Sequence, residues 1–394
     1  MSARARLVLA LVSTALIGYI AVGSLLGRVL GDTSYGQLAV FNEVVRLVLD
    51  AYVEPVNIDR AMAGARQGMS DVLDGDSTYL DPEELRSYQQ PPKEGEAEVG
   101  LLLTRRFAFV MVVAARRGSP ADVAGLRPGD LLKSIDERAT RTLPAVVAER
   151  LLRGAPGSSV KLGILRAGAD PLDVPIVRER LQPATVEGRM LAGAVGYLRI
   201  ADFTATAAED ARTQVVALGK AGAARLVLDL RSAAFGTPDE AAKVAELFMR
   251  GGTVAKLTGR HVQEQTLSAD PAHAVWSGPL VALIDNGTAG PGEIVAGALA
   301  DSGRATLVGE RTFGRASVSR LVPLPEGGML ITVAKYASPK GTVLQGDGLK
   351  PGVAVEGRTD EDEDLAPGTP RPDRILEKAI ETLKSGPPQP TSSS

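Results

Sequence analysis

Between residues 195 and 309 short apolar runs alternate with amphipathic ones, and this alternation limits the fold more than any other feature of the chain. "VGYLRI" reads as a strand, "TAAEDARTQVVALGKAG" as a helix, "ARLVLDLR" as a strand and "TPDEAAKVAELFMR" as a helix. "PLVALID", a helix over 292–302 and the strand "ATLVGE" continue the series. Strands separated by helices predict an α/β sheet with the helices packed on it.

The flanking segments read differently. Residues 31–90 are mostly helical in pattern, with "FNEVVRLVLDAYVEP" stopping at Pro55 and "DRAMAGARQGMSDVLDG" following. Asp81 before Pro82 is an N-cap in a short helix start, and "QQPPKEGEAE" is a polar linker. Residues 99–180 are β-rich, from "VGLLLTRR" and "FAFVMVVAA" to "SSVKLGILRAG", with "TLPAVVAERLLRG" as an amphipathic helix. The acidic "TDEDEDLAPGTPRPD" is a linker, 374–385 a short helix and "GPPQPTSSS" a disordered end. The expected organisation is a multidomain α/β chain. It has an anchor or signal over 1–30, helices over 31–95, a β-rich domain over 96–182, an α/β core over 183–357 and a tail over 358–394.

A net charge of −3 argues against a nucleic-acid partner. With no cysteine and only His261 and His273, both in a stretch over 258–277 that reads as a polar loop, the chain has no disulfide, no thiolate or His-rich metal site and no cysteine nucleophile. Neither a metal nor another cofactor is expected. Arg4 and Arg6 precede the uncharged run Leu7–Leu26. That run is long enough for a hydrocarbon core of ~30 Å, and the basic residues keep the leading end cytoplasmic. A cleaved signal peptide with "AVG" at 21–23 is the competing reading. The expected location is the inner (cytoplasmic) membrane with the bulk of the chain exported or periplasmic, or secretion after cleavage.

"DNGTAGPGE" at 285–293 is a Gly-rich turn between a strand and a helix, where many hydrolases place a nucleophile. With this loop, "SPADVAGLRPGDLLKSID", "ARLVLDLR", "GEIVAGALADSGRATLVGERTFGR", "ITVAKYASPKG" and "LQGDGLKPGVAVE" occur in one order. In these motifs the chain resembles the carboxyl-terminal processing, or tail-specific, proteases over roughly residues 35–357. The resemblance implies N-terminal helices, a PDZ domain over the β-rich part and a tail-specific-protease α/β core. It also implies a serine nucleophile with a lysine base and an orienting glutamine. Glu293 anchors the loop, and the nucleophile position then falls on Gly290. The lysine position falls on Arg315, at the family's spacing of 25 residues, and the glutamine position on Ser319.

All three residues depart from the family pattern. Gly290 has no side chain to attack a carbonyl. Guanidinium stays protonated, so Arg315 has no lone pair to accept a proton. The family's oxyanion loop, L-R-N-N-P-G-G, reads Leu230, Arg231, Ser232, Ala233, Ala234, Phe235, Gly236 here. Phe235 stands where a glycine would take positive φ, and is expected to strain the loop and crowd the space above the sheet. Thr288, Ser302, Ser317 and Ser319 are the hydroxyls available for a relocated nucleophile. Lys335 matches a family lysine that is not the base. Gly290 and Gly292 read as turn residues, so Gly290→Ser is expected to be nearly neutral for stability.

The resemblance also implies a peptide-binding loop at Gly100, Leu101, Leu102 and Leu103, whose N–H groups hold a C-terminal carboxylate. Leu102 stands where the family has a second glycine. Arg105 and Arg106 read as a solvated pair or as a preference for acidic termini. Three readings follow. The first is a membrane-anchored pseudoprotease that binds peptides or protein C-termini or scaffolds a partner protease. The second is a working serine peptidase with a relocated nucleophile. The third is an interaction module alone, with the protease core serving as a dimer scaffold. The family's N-terminal helices often pair, so the resemblance also implies a homodimer through residues 35–75.

Overall fold

The computed structural model describes residues 36–106, 108–357 and 372–385. The apolar run 7–26, the acidic linker up to residue 371 and the tail from 386 lie outside the described residues. Among the described residues, no helix is long and apolar enough to cross a membrane.

By contacts the chain divides into residues up to Arg66 and residues from Gln67 onward. In the first unit residues 36–51 form helix α1, on which Leu38, Val44 and Leu47 are exposed. Helix α2 spans Ile58–Asp71. The second unit opens with strand β1 (Thr78–Leu80) and helix α3 (Pro82–Gln89). Asp81 caps α3: its carboxylate accepts the N–H groups of Glu83 and Glu84 at 2.8 Å, and Glu84 returns to the Asp81 N–H. This reciprocal cap satisfies donors that a helix start leaves open.

The β-rich domain contains β2 (Leu101–Arg106), β3 (Phe109–Ala115), β4 (Leu131–Ile135), β5 (Arg138–Ala139), β6 (Ser159–Leu165) and β7 (Leu172–Val177). Helices α4 (Pro120–Val123) and α5 (Ala145–Leu151) lie between them in sequence. The sheet order is β2-β3-β4-β6-β7, so β2 is an outer strand. Leu103, Val112, Leu132, Ile164 and, from α5, Ala148 close one core.

The α/β core comprises β8 (Glu187–Leu191), β9 (Val195–Arg199), β10 (Asp202–Phe203), α6 (Ala207–Lys220), β11 (Arg225–Asp229), β12 (Phe235–Gly236) and α7 (Pro238–Glu246). It continues through β13 (Gly252–Gly259), β14 (Val262–Ala269), β15 (Leu280–Ile284), α8 (Pro291–Asp301) and β16 (Thr306–Gly309). Strands β17 (Ser317–Pro323), β18 (Gly328–Ala337) and β19 (Val353–Ala354), then helix α9 (Arg374–Ser385), complete it. Six strands form a sheet of order β19-β16-β15-β11-β9-β8, parallel except for the β8–β9 pair.

Side chains alternate across this sheet with the two-residue period of a strand. Leu226, Leu228, Ala282 and Ile284 join the core with α6, α7 and α8. Val227, Val281 and Leu283 pack with Ile375, Ala379 and Leu383 of α9. A sheet covered on both faces needs continuously apolar strands, which is why "LVALI" and "RLVLD" show no polar alternation. Burying each such leucine contributes about 1.5–3 kcal/mol.

A second, antiparallel sheet runs β1-β18-β13-β14, with β17 also paired to β18. It contains two departures from the sequence reading. Residues 78–80, read within a helical region, are a strand on β18. The polar stretch around 258–277 holds the β13–β14 hairpin, which exposed Gln and Glu on β14 disguised as loop. His261 sits at its turn, and His273 Nδ1 lies 2.6 Å from the Glu246 carboxylate.

Candidate active-site cleft

The loops following β11, β15 and β16 converge at one end of the parallel sheet. A cleft of about 430 Å³ opens there, and Gly290, Arg315, Ser319, Phe235 and Gly236 all line it. The structure therefore brings together the three catalytic-equivalent positions and the oxyanion-loop residues Phe235 and Gly236, whereas Thr288, Ser302 and Lys335 do not line this cleft. Leu102 of the β-rich domain lines the same cleft, whereas Gly100 and Leu101 line a neighbouring pocket. Leu103 is fully buried in the domain core.

Glu293 organises the loops. Burial pushes its carboxyl up to about 7, against the pull of hydrogen bonds from Thr312 and the loop backbone. Oε2 accepts the N–H of Gly290 at 2.9 Å and of Arg315 at 3.0 Å. Oε1 accepts the Thr312 hydroxyl at 2.5 Å and the Gly314 N–H at 2.8 Å. One carboxylate thus fixes the nucleophile position against the base position.

Gly290 is the N-cap of α8 with φ 49° and ψ −108°. This is a positive-φ conformation outside the left-handed helical well, costly for any residue with a side chain. A Cβ built there would meet only the Arg315 carbonyl oxygen, at 3.2 Å. The near-neutrality expected for Gly290→Ser is therefore corrected: the contact with the Arg315 carbonyl is tight, and the positive φ disfavours any side chain. Gly292 is fixed by a different constraint, because a Cβ there would stand 2.2 Å from the Ala233 carbonyl oxygen.

Phe235 also corrects its expectation. It sits in β12, paired in parallel with Asp202 of β10, and its φ is not positive. The loop places its positive φ values on Ser232 (57°) and Gly236 (117°) instead. The crowding expectation fits its surroundings, since the Phe235 ring borders the cleft and packs 4.5 Å from the Arg116 guanidinium.

The sequence reading missed Pro291, although the letter was visible. It occupies the first turn of α8, directly after Gly290. In hydrolase elbows the N–H of the residue after the nucleophile helps bind the oxyanion, and proline has no N–H. It also missed Asp76. Arg315 Nε donates to Asp76 Oδ1 at 2.8 Å, and Ser317 Oγ donates to Asp76 Oδ2 at 3.4 Å. The Arg315–Asp76 pair stands between the 430 Å³ cleft and a polar cavity of about 620 Å³ on its other side.

The other hydroxyls are engaged. Thr288 is fully buried, and its Oγ1 donates to the Leu230 carbonyl at 2.8 Å. Ser302 Oγ donates to the Ala298 carbonyl at 2.6 Å, as a helix-end hydroxyl does. Ser319 Oγ lies 3.4 Å from Thr332 Oγ1. Lys335 is exposed and pairs in register with Ser317 across β17 and β18. Arg105 is not the solvated residue expected, because it is buried and donates to the Leu143 carbonyl at 2.9 Å.

Comparison with known proteins agrees with this architecture. Residues 194–355 match the model of peptidase family S41, and residues 111–166 match a PDZ domain. The chain is 33% identical over 334 residues to a carboxy-terminal-processing protease of Bartonella bacilliformis, spanning 82% of this chain and 76% of that one. It is 29% identical over 354 residues to the carboxy-terminal processing protease CtpA of Bacillus subtilis, spanning 89% and 76%. The solved photosystem II D1 C-terminal processing protease superposes with a TM-score of 0.67 at 27% identity, covering 86% of this chain and 90% of that one.

Proposed function

The chain belongs to the carboxyl-terminal processing proteases of peptidase family S41, and from that premise we propose that it is a membrane-anchored pseudoprotease. It binds protein tails through its PDZ domain, or scaffolds a partner, without cutting. The observation that carries this reading is the junction of Gly290 with Arg315. The nucleophile position has no side chain, and the base position holds a guanidinium paired to Asp76 at 2.8 Å.

Each part of acyl-transfer chemistry is affected. No hydroxyl stands at the head of α8 to form the acyl-enzyme. A lysine base works when burial brings its pKa near neutrality. Burial disfavours the Arg315 cation too, but Asp76 and Glu149 outweigh it and hold its pKa above the ordinary arginine value. Pro291 removes one oxyanion donor. The engaged hydroxyls of Thr288 and Ser319 favour this reading over a relocated nucleophile.

What remains suits binding. The Gly290 elbow, the Glu293 staple and the PDZ strand β2 keep a cleft that can hold an extended segment. The run Leu7–Leu26 supports an anchored chain with its bulk exported. The test is capture of C-terminal peptides by the purified protein, with mass analysis of the bound and free peptide. Bound peptide of unchanged mass supports tail binding without cleavage; shortened peptide or absence of capture contradicts it.

A further inference from the structure

The loop Gly100–Leu103 already holds a carboxylate, and it belongs to the chain itself. β3 pairs with β2 on one side, and a register shift falls between Leu102 and Leu103. The Leu103 N–H, turned away from β3, donates to Glu149 Oε1 on α5 at 3.0 Å. Glu149 lines the same pocket, of about 160 Å³, as Gly100, Leu101 and Leu102. Leu152 and Phe235 add apolar wall to it.

A peptide C-terminus captured by this loop would place its carboxylate on these backbone N–H groups. We propose that Glu149 is a resident carboxylate that competes with the ligand's own terminus for the Leu103 N–H, and so sets the affinity of the site. The ligand class is a peptide with a free terminal carboxylate and an apolar last residue. This inference rests on the tail-binding reading above.

The displaced side chain has somewhere to go. Burial raises the Glu149 carboxyl, and the opposing pull comes first from Arg315 and then from the Leu103 N–H and Arg153. Arg153 is held only loosely, 3.5 Å from Glu98. A Glu149 freed from Leu103 still faces Arg315 and Arg153, opposed by Asp76, so a charge-bearing partner remains beside it. Arg315, whose charge acts on Glu149, lines the cleft.

The test measures binding of fluorescein-labelled decapeptides ending in Ala, Val or Leu, as free acids and as amides, to wild type, Glu149→Ala and Glu149→Gln. Free acids should bind Glu149→Ala roughly 10-fold tighter than wild type, the effect of one charge-assisted hydrogen bond. Amides should gain nothing, and Glu149→Gln, a neutral acceptor, should lie between. Wild-type binding that Glu149→Ala does not improve overturns the inference and leaves the tail-binding reading standing. Binding to none of the three overturns both. Should Glu149→Ala fail to fold, Glu149→Gln decides alone: tighter binding of acids supports the inference, and unchanged or weaker binding overturns it.

Discussion

Nε of Arg315 donates to Asp76 Oδ1 at 2.8 Å, joining the position of a catalytic base to the segment that precedes β1. Asp76 has only 9% of its side-chain surface exposed, and Arg315 has 26%. An arginine so placed is a structural counter-ion, and its charge is the reason it cannot act as a base.

Removing that counter-ion leaves a buried carboxylate unpaired. Arg315→Ala is therefore expected to lower unfolding stability by about 2–3 kcal/mol, somewhat below the range for fully buried pairs because Arg315 is partly solvated. Urea denaturation checks this. A change under about 0.5 kcal/mol would mean that water satisfies Asp76.

Gly290→Ser is expected to cost about 1–3 kcal/mol, the usual range for a side chain held at a disfavoured positive φ. Thermal unfolding of the folded variant measures it. A neutral substitution would show that the elbow relaxes once a side chain is present.

Glu293 predicts a pH dependence. Its folded pKa, about 7, lies above the ordinary glutamate value of 4.5. The native state therefore binds more protons than the unfolded chain between those values, and stability falls as pH rises through the window. The shift corresponds to about 3 kcal/mol. Denaturation from pH 4.5 to 8 should show this slope in wild type and lose it in Glu293→Gln. Equal slopes in the two proteins would assign the dependence elsewhere.

The alternating strands and helices of the core were legible because burial on both faces forces apolar strands, as Val227 and Leu228 show on opposite sides of β11. Gly290, Arg315 and Ser319 were legible only through the family motifs that the chain resembles, and they meet in one cleft. The β13–β14 hairpin was hidden because Gln263, Glu264 and Gln265 face solvent. Asp76 was not legible as the Arg315 partner, since nothing local joins residues that far apart in the chain. Phe235 was misjudged because a family glycine suggested positive φ, whereas the backbone moved that demand to Ser232 and Gly236.

The anchor reading predicts that the mature chain retains Leu7–Leu26 and sediments with membranes. N-terminal sequencing of the mature protein checks it. A chain beginning near Gly23 or Ser24 would replace the anchor with a cleaved signal.

The most direct measurement is digestion of an unstructured protein by the purified chain, followed by mass spectrometry. Wild type should leave the substrate intact. Gly290→Ser, Arg315→Lys and their double variant should restore little, because groups that act as a unit lose activity non-additively and Pro291 still lacks an oxyanion donor. Removing a hydrolase nucleophile alone typically costs on the order of 10⁶ in turnover. Robust cleavage by wild type, abolished by Thr288→Val or Ser317→Ala, would contradict the account and establish a relocated nucleophile.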